Sequence, residues 1–286
     1  SRLEKMALAY VTPGCFVVTN SVTNTLTGNP ELATAIINGL DWMVANVYVT
    51  NAYSTNNQLY GNWFDWEVQG AQNFVDTQTL VYSQLSSNQI AKYAAAVDNY
   101  GPTSWAMSNV KSDFGYFFWG ALTGANTTSV AQVTALRGVL ERNSAKISEI
   151  NASNAVPDVF LPVTDGDGFY EDGSYIFHGN VAYNGHYGYV MLEGVVTLSA
   201  LLDGTPWTIV DGNYPYVYNW VTDGFMPFFY RGALMDCVRG RSVGTSGETG
   251  PDVGAEILGY IQTIASTAST PADKKAVFNA FVANPH

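Results

Sequence analysis

Residues 30–48, Pro30-Glu-Leu-Ala-Thr-Ala-Ile-Ile-Asn-Gly-Leu-Asp-Trp-Met-Val-Ala-Asn-Val-Tyr48, decide the fold class. Ala33, Ile36, Ile37, Leu40, Trp42, Met43 and Val47 recur at three- and four-residue steps, the spacing of one helical face. Pro30 and Glu31 suit a first turn, and Asn29 before them suits a cap. Working outward, the same period predicts helices over 2–10, 70–84 and 87–98, the last capped by Ser86 or Ser87. It continues with a partly helical 105–123 and a long amphipathic helix over 128–150. Further helices are expected over 185–203, 214–236, 251–267 and 271–282, with Pro251 and Pro271 at first-turn positions.

Between these lies a different kind of sequence. Residues 152–184 are rich in Gly, Asp, Asn, Pro and Tyr and have no helical period, and Thr164-Asp165-Gly166-Asp167-Gly168 is a turn cluster. A long irregular segment inside a compact domain is usually functional. Successive helices joined by loops, without sustained alternating strands, predict an all-α fold. The expected architecture is an α/α toroid or bundle of long helices.

Composition narrows the function. Charged residues are 13% of the chain, against about 25% in an ordinary domain. Aromatics are 14%, with 18 Tyr and 7 Trp, a mix suited to stacking on sugars. The net charge of −12 and the lack of a basic run argue against nucleic acid. A cleft on an acidic protein can still be locally positive. No apolar run reaches membrane-spanning length, so no membrane partner is expected. No signal peptide is visible, and composition alone suggests a secreted protein. Cys15 and Cys237 are too far apart in sequence to predict a pairing.

Chemistry-bearing residues converge on Glu171-Asp-Gly-Ser-Tyr-Ile-Phe-His178-Gly-Asn-Val-Ala-Tyr183-Asn-Gly-His186-Tyr187-Gly188. Each has a structural alternative. Asn126 suits a helix cap, because Thr127-Thr128-Ser129 leads into the next helix. Asn126-Thr127-Thr128 and Asn151-Ala152-Ser153 also match the glycosylation pattern. Tyr187 suits a core, Arg241 an ion pair with Arg239 as its near-equivalent, and Trp63 and Trp66 a core as well. Asp165, Asp167, Glu171 and Asp172 cluster as acids, but without the distal bidentate carboxylate of a calcium loop they read as a turn.

Several of these segments resemble the polysaccharide lyase family of hyaluronate, chondroitin AC and xanthan lyases. Residues 2–14 look like its early helix, and Asn62-Trp63-Phe64-Asp65-Trp66-Glu67-Val68 like its aromatic segment. Thr123-Gly124-Ala125-Asn126 is similar to the segment with its asparagine. Asp172 to His178, followed by Tyr183 to Gly188, is similar to its His and Tyr segment. Gly224-Phe-Met-Pro-Phe228 and Val238-Arg239-Gly240-Arg241-Ser242 resemble its arginine segment. The motifs stand in the family's order and spacing and cover most of the chain.

The resemblance implies an incomplete α/α toroid of long antiparallel helix pairs with an open cleft, residues 1–286 forming a single domain, and a lyase acting on a uronic-acid polysaccharide. It implies a catalytic set of Asn126, His178, Tyr187 and Arg241, and substrate contacts from Trp63, Phe64, Trp66, Arg239 and Tyr183. The reaction it implies removes the C5 proton of a uronate and expels the 4-linked oxygen. The proton is acidified only if charge developing on the carboxylate is stabilised, here by the amide of Asn126 and the imidazole of His178. Tyr187 is then the base, with a phenolate favoured by Arg241, and afterwards the acid for the leaving oxygen. A rival assignment makes His178 the base and Tyr187 the acid. No metal or cofactor is called for.

The departures carry information too. Phe64 replaces a tryptophan, Val68-Gln69-Gly70-Ala71-Gln72 replaces Ile-Gly and a Pro-Arg pair, and Thr245 replaces a further arginine. The family's arginine at the Thr245 position contacts acidic substrate groups, so its absence points to a less heavily charged uronan. Family members carry large β-sheet domains after the helical one, so the resemblance implies a fragment lacking its C-terminal β-sheet region, a partner chain that supplies it, or a reduced form. Two other function classes compete. A glycoside hydrolase needs a separated carboxylate pair, with Asp65, Glu67, Asp167 and Asp172 as its candidates. A non-catalytic polysaccharide-binding domain has a use for the tryptophans but none for the Asn, His, Tyr and Arg set.

Overall fold

Helix signals in the sequence become caps in space. The computed structural model describes residues 1–49, 64–100, 106–107 and 120–285. Ser1 and Glu4 form a reciprocal capping box that opens α1 (Arg2–Val11). Asn29 accepts from the amides of Glu31 and Leu32 at the head of α2 (Pro30–Asn46). Between them Phe16–Thr19 (β1) and Val22–Thr25 (β2) form an exposed hairpin that the periodicity did not announce. A π-helical turn, Asp65–Gln69, leads into α3 (Gly70–Leu80). Ser86 and Gln89 then cap α4 (Ser87–Tyr100).

Most of the partly helical stretch expected over 105–123 lies outside the described residues, and those described within it include a short strand pair, Ala106–Met107 (β3) with Gly120–Ala121 (β4). The long helix expected over 128–150 is shorter and breaks. It runs as α5 (Gly124–Glu141), followed by α6 (Ser144–Ser148). Arg142 turns left-handed at φ +55, and the amide of Asn143 reaches back to the carbonyl of Gly138. The side chain of Asn143 then accepts from Lys146 to start α6.

The residues cluster into two compact units, 1–121 with 133–147 and 122–132 with 148–286. The first is built around Ile36, Leu40, Phe74, Tyr93 and Val97, with Val133 and Leu140 from α5. The second carries the segment without helical period. There Gly168–Phe169 (β5), Tyr175–Phe177 (β6) and Val181–Ala182 (β7) form an antiparallel sheet in that order. A π-helical turn, Asn184–Gly188, feeds α7 (Tyr189–Leu202). The helix expected over 214–236 is only partly formed. It begins as α8 (Pro215–Asn219), passes through π and 3₁₀ turns, and ends in a hairpin of Phe229–Tyr230 (β8) and Ala233–Leu234 (β9). Arg231 and Gly232 at the tip are both left-handed, which no helix accommodates. Two helices follow, α9 (Gly250–Ser266) and α10 (Ala272–Ala283), with Pro271 as the N-cap of α10. The α9 helix packs against α7, α10 and β9. Buried Phe169, Trp220, Phe225, Ile257, Ile261 and Phe278 form much of this unit's core.

Cys15 and Cys237 are free thiols. Among the described residues no helix is long and apolar enough to cross a membrane.

Candidate active site

The second unit brings three of the four expected catalytic side chains into direct neighbourhood. The guanidinium of Arg241 donates through Nη2 to the Tyr187 hydroxyl at 2.9 Å. The His178 ring stands edge-on to the Tyr187 ring, centroids 5.2 Å apart and planes at 89°. His178 and Arg241 are exposed and Tyr187 is half-buried, so the cluster opens to solvent.

Each is placed by a local device. Tyr187 stacks on Phe177 of β6, with ring centroids 4.0 Å apart. His178 follows Phe177 at the tip of the β6–β7 hairpin, in a left-handed conformation with φ +53. Arg241 is set by Tyr183, whose hydroxyl accepts from the Arg241 backbone amide at 3.2 Å. The Tyr183 ring also fills the space where a Cβ on Gly240 would sit, and Gly240 has φ +52. Only glycine fits there.

Asn126 lies in the same unit, half-buried in the first turn of α5 and not at its cap. Its turn is tied towards the site. The Ala125 amide donates to the Tyr175 hydroxyl at 3.4 Å, and Tyr175 stacks on Phe177 with ring centroids 6.1 Å apart. Gly124, at φ +50, packs against both rings.

The residues expected to touch substrate fare differently. Tyr183 is 1% exposed and Arg239 3%, so neither presents surface to a sugar. Arg239 bonds to Asp236 and to the backbone carbonyls of Glu248 and Ser242, closing the loop that carries Arg241. The two neighbouring arginines thus face opposite ways, Arg239 inward and Arg241 towards Tyr187. Trp66, 8% exposed, packs in the first unit, where its carbonyl accepts from the Tyr48 hydroxyl. For these three, packing replaces the expected contact with substrate. Phe64 is half-buried just before the π turn, and Trp63 lies outside the described residues.

Electrostatics set the resting protonation. Partial desolvation and the Arg241 charge hold the His178 imidazole below its ordinary value, with Asp167 opposing. Burial pushes the Tyr187 phenol above its ordinary value, and the Arg241 charge pulls against this without cancelling it. The expected help from Arg241 towards phenolate is present but outweighed. The resting site therefore holds a neutral imidazole beside a neutral phenol.

Two other neighbours were visible in the sequence but had no expected place in the lyase site. The His186 ring lies 5.0 Å from that of Tyr187, and its Nδ1 is 3.7 Å from a Glu248 carboxylate oxygen. Burial keeps His186 below its ordinary value as well. Asp167, read as a turn residue, accepts from the amide next to His178. No periodicity marks such contacts. The one available signal was the density of polar residues around His178. Of the carboxylates weighed for hydrolysis, Asp172 is held low by bonds from the hydroxyl and amide of Ser174, and Glu67 is buried. Neither is placed as an acid facing a sugar. Among the described residues, no three His, Cys, Asp or Glu side chains gather as a metal-binding group.

Residues 1–284 match the model of the polysaccharide lyase family 8 N-terminal alpha-helical domain. Xanthan lyase of Bacillus sp. (strain GL1) is 32% identical over 94% of this chain and 26% of its own length. Hyaluronate lyase of Thermasporomyces composti is 35% identical over 86% of this chain and 28% of its own. This chain thus spans about a quarter of the length of those two relatives. The solved xanthan lyase of Paenibacillus superposes with a TM-score of 0.81 at 33% identity, covering 98% of this chain and 24% of that one. Chondroitin AC lyase of Streptomyces coelicolor A3, solved with chondroitin sulphate, also gives 0.81, at 32% identity over 98% of this chain and 35% of that one. The expected fold class, all-α of the α/α-toroid type, is the one these matches carry. The chain belongs to polysaccharide lyase family 8, as its N-terminal α-helical domain.

Proposed function

We propose that this chain is the catalytic helical part of an extracellular lyase that cleaves an acidic, uronic-acid-containing polysaccharide by β-elimination. The observation that carries the reading is the Arg241–Tyr187 hydrogen bond at 2.9 Å with His178 edge-on to the same tyrosine. A hydroxyl held by a fixed cation beside an imidazole is what proton transfer at a sugar carbon requires.

The chemistry runs as follows. A uronate enters with its carboxylate facing His178 and Asn126, whose N–H groups donate to it and offset the charge that grows as the C5–H bond breaks. Tyr187 first gives up its own proton to solvent, and the phenolate then takes the C5 proton. The electron pair forms the C4–C5 double bond, the C4–O bond breaks, and the tyrosine proton goes to the departing oxygen. One new chain end is unsaturated, and no water is consumed. One group serving both transfers fits departure from the face on which the proton was taken. Arg241 stabilises the phenolate at the step where it forms.

The resting protonation supports a second assignment of roles. A neutral imidazole already has a free acceptor, whereas the phenol holds its proton. In that case His178 takes the C5 proton and Tyr187 protonates the leaving oxygen.

The test is ultraviolet absorbance of the unsaturated product over hyaluronan, chondroitin, xanthan, glucuronan and alginate, with Tyr187→Phe as control. A rise that the variant loses identifies the substrate and supports the lyase reading. No rise on any of the five from a folded chain overturns it for this chain. Retained binding without product would make the chain a polysaccharide-binding domain.

A further inference from the structure

Asp167 stands directly before β5. The register that pairs Gly168 with Ile176 and Phe169 with Tyr175 sets it, one step on, across from Phe177. His178 comes next at the hairpin tip, and both it and Gly179 are left-handed, at φ +53 and +85. A non-glycine residue in this conformation, even histidine, which adopts it more readily than most, costs energy that its surroundings offset. The hold is visible. Asp167 Oδ1 accepts from the amide of Gly179 at 3.1 Å, the first donor after His178. The carboxylate also acts electrostatically on both His178 and Tyr187, in each case against the charge of Arg241.

We propose that Asp167 is a positioning residue: its carboxylate straps the left-handed His178–Gly179 turn and sets, against Arg241, the charge balance at His178 and Tyr187. What that balance is for rests on the lyase reading, while the strap and the charge effect do not. Among the described residues, the groups around His178 are few. Asp167 lies on the β5 side and Arg241 on the loop after β9, and the rings of Tyr183 and Tyr187 are within 6.1 Å and 5.2 Å. His186, on the π turn, itself feels the charge of His178. Asp167 is the anion of the set, so removing its charge makes the imidazolium harder to form.

Two substitutions separate strap from charge. Asp167→Asn keeps a side-chain acceptor for Gly179 and loses the charge, whereas Asp167→Ala loses both. Asp165→Asn, in the same turn cluster, removes an equal charge and serves as control. His178 is followed by NMR titration, and kcat and KM are measured against pH. In Asp167→Asn, His178 should titrate lower than in the unmodified chain, and the acid limb of kcat/KM should move with it. In Asp167→Ala, kcat should fall about tenfold or more with KM little changed, because a misplaced group loses its orientation advantage. Asp165→Asn should do neither. An unchanged His178 titration in Asp167→Asn overturns the charge role, and Asp167→Ala matching the Asp165→Asn rate overturns the strap. If the unmodified chain makes no product, the lyase reading fails. The NMR comparison then still decides both roles, because loss of the strap in Asp167→Ala would show as loss of the ordered His178 and Gly179 signals.

Discussion

At Tyr187 two influences of opposite sign meet, and burial against Phe177 and Tyr183 wins over the guanidinium that touches the hydroxyl. The same guanidinium lowers His178, where it adds to desolvation. Arg241 therefore pulls both groups down, and its removal must raise both. For a reaction that needs neutral His178, the rate is full above that group's own value and is lost as pH falls through it. In the unmodified chain that acid limb lies below the ordinary histidine value of about 6.5. In Arg241→Gln it should move upward towards that value. The height of the profile should drop about a hundredfold or more, as when a donor to a developing charge is removed. An acid limb that stays put or moves down in Arg241→Gln would contradict this placement of charge. Arg241→Lys keeps the charge without the planar fork. It should hold the limb near its original position while losing much of the rate.

The element that presents Tyr187 is the π-helical turn 184–188, and one buried amide holds it. Asn184 Oδ1 accepts from the Tyr175 amide at 3.0 Å, and its Nδ2 donates to the carbonyls of Gly173 and Gly224 at 2.9 and 2.8 Å. All three bonds are buried, so Asn184→Ala leaves three backbone groups without a partner and should cost about 2 kcal/mol or more. Asn184→Asp should cost more still, since an acceptor would then face two carbonyls. Chemical denaturation checks both, and a loss under about 0.5 kcal/mol in Asn184→Ala would contradict the role. Such elements bear on what a sequence reveals. The α2 helix was legible because Asn29, Pro30 and a one-sided apolar row speak locally. The His178 and Tyr187 segment was legible because its polar residues are dense and its pattern resembles a family. The π turns, the break at Arg142 and the β8–β9 hairpin were not. Each depends on a distant partner or on a backbone angle that a helical period does not encode. The orientation of the two arginines was hidden for the same reason, since it depends on a Tyr183 ring 57 residues before Gly240.

Over the whole molecule, charge and proposed substrate oppose each other. The chain carries 12 Lys and Arg against 24 Asp and Glu, a net −12. A polyanion approaching it meets repulsion at long range and Arg241 only at contact. Salt distinguishes the two ranges. The screening length is about 30 Å at 0.01 M and about 10 Å at 0.1 M. Moderate salt therefore removes the distant repulsion first, and the short contact at Arg241 suffers less. On the proposed substrate, KM should fall as ionic strength rises from about 0.01 to 0.1 M, and then level or climb. Nucleic-acid-binding proteins and others with basic clefts show the reverse order, weakening from the first addition of salt. Neutralising exposed acids well away from the site should flatten the early fall without altering kcat. A KM that climbs steadily from the lowest salt would mean that local attraction dominates at every range. The substrate would then be recognised by more positive charge than Arg241 supplies.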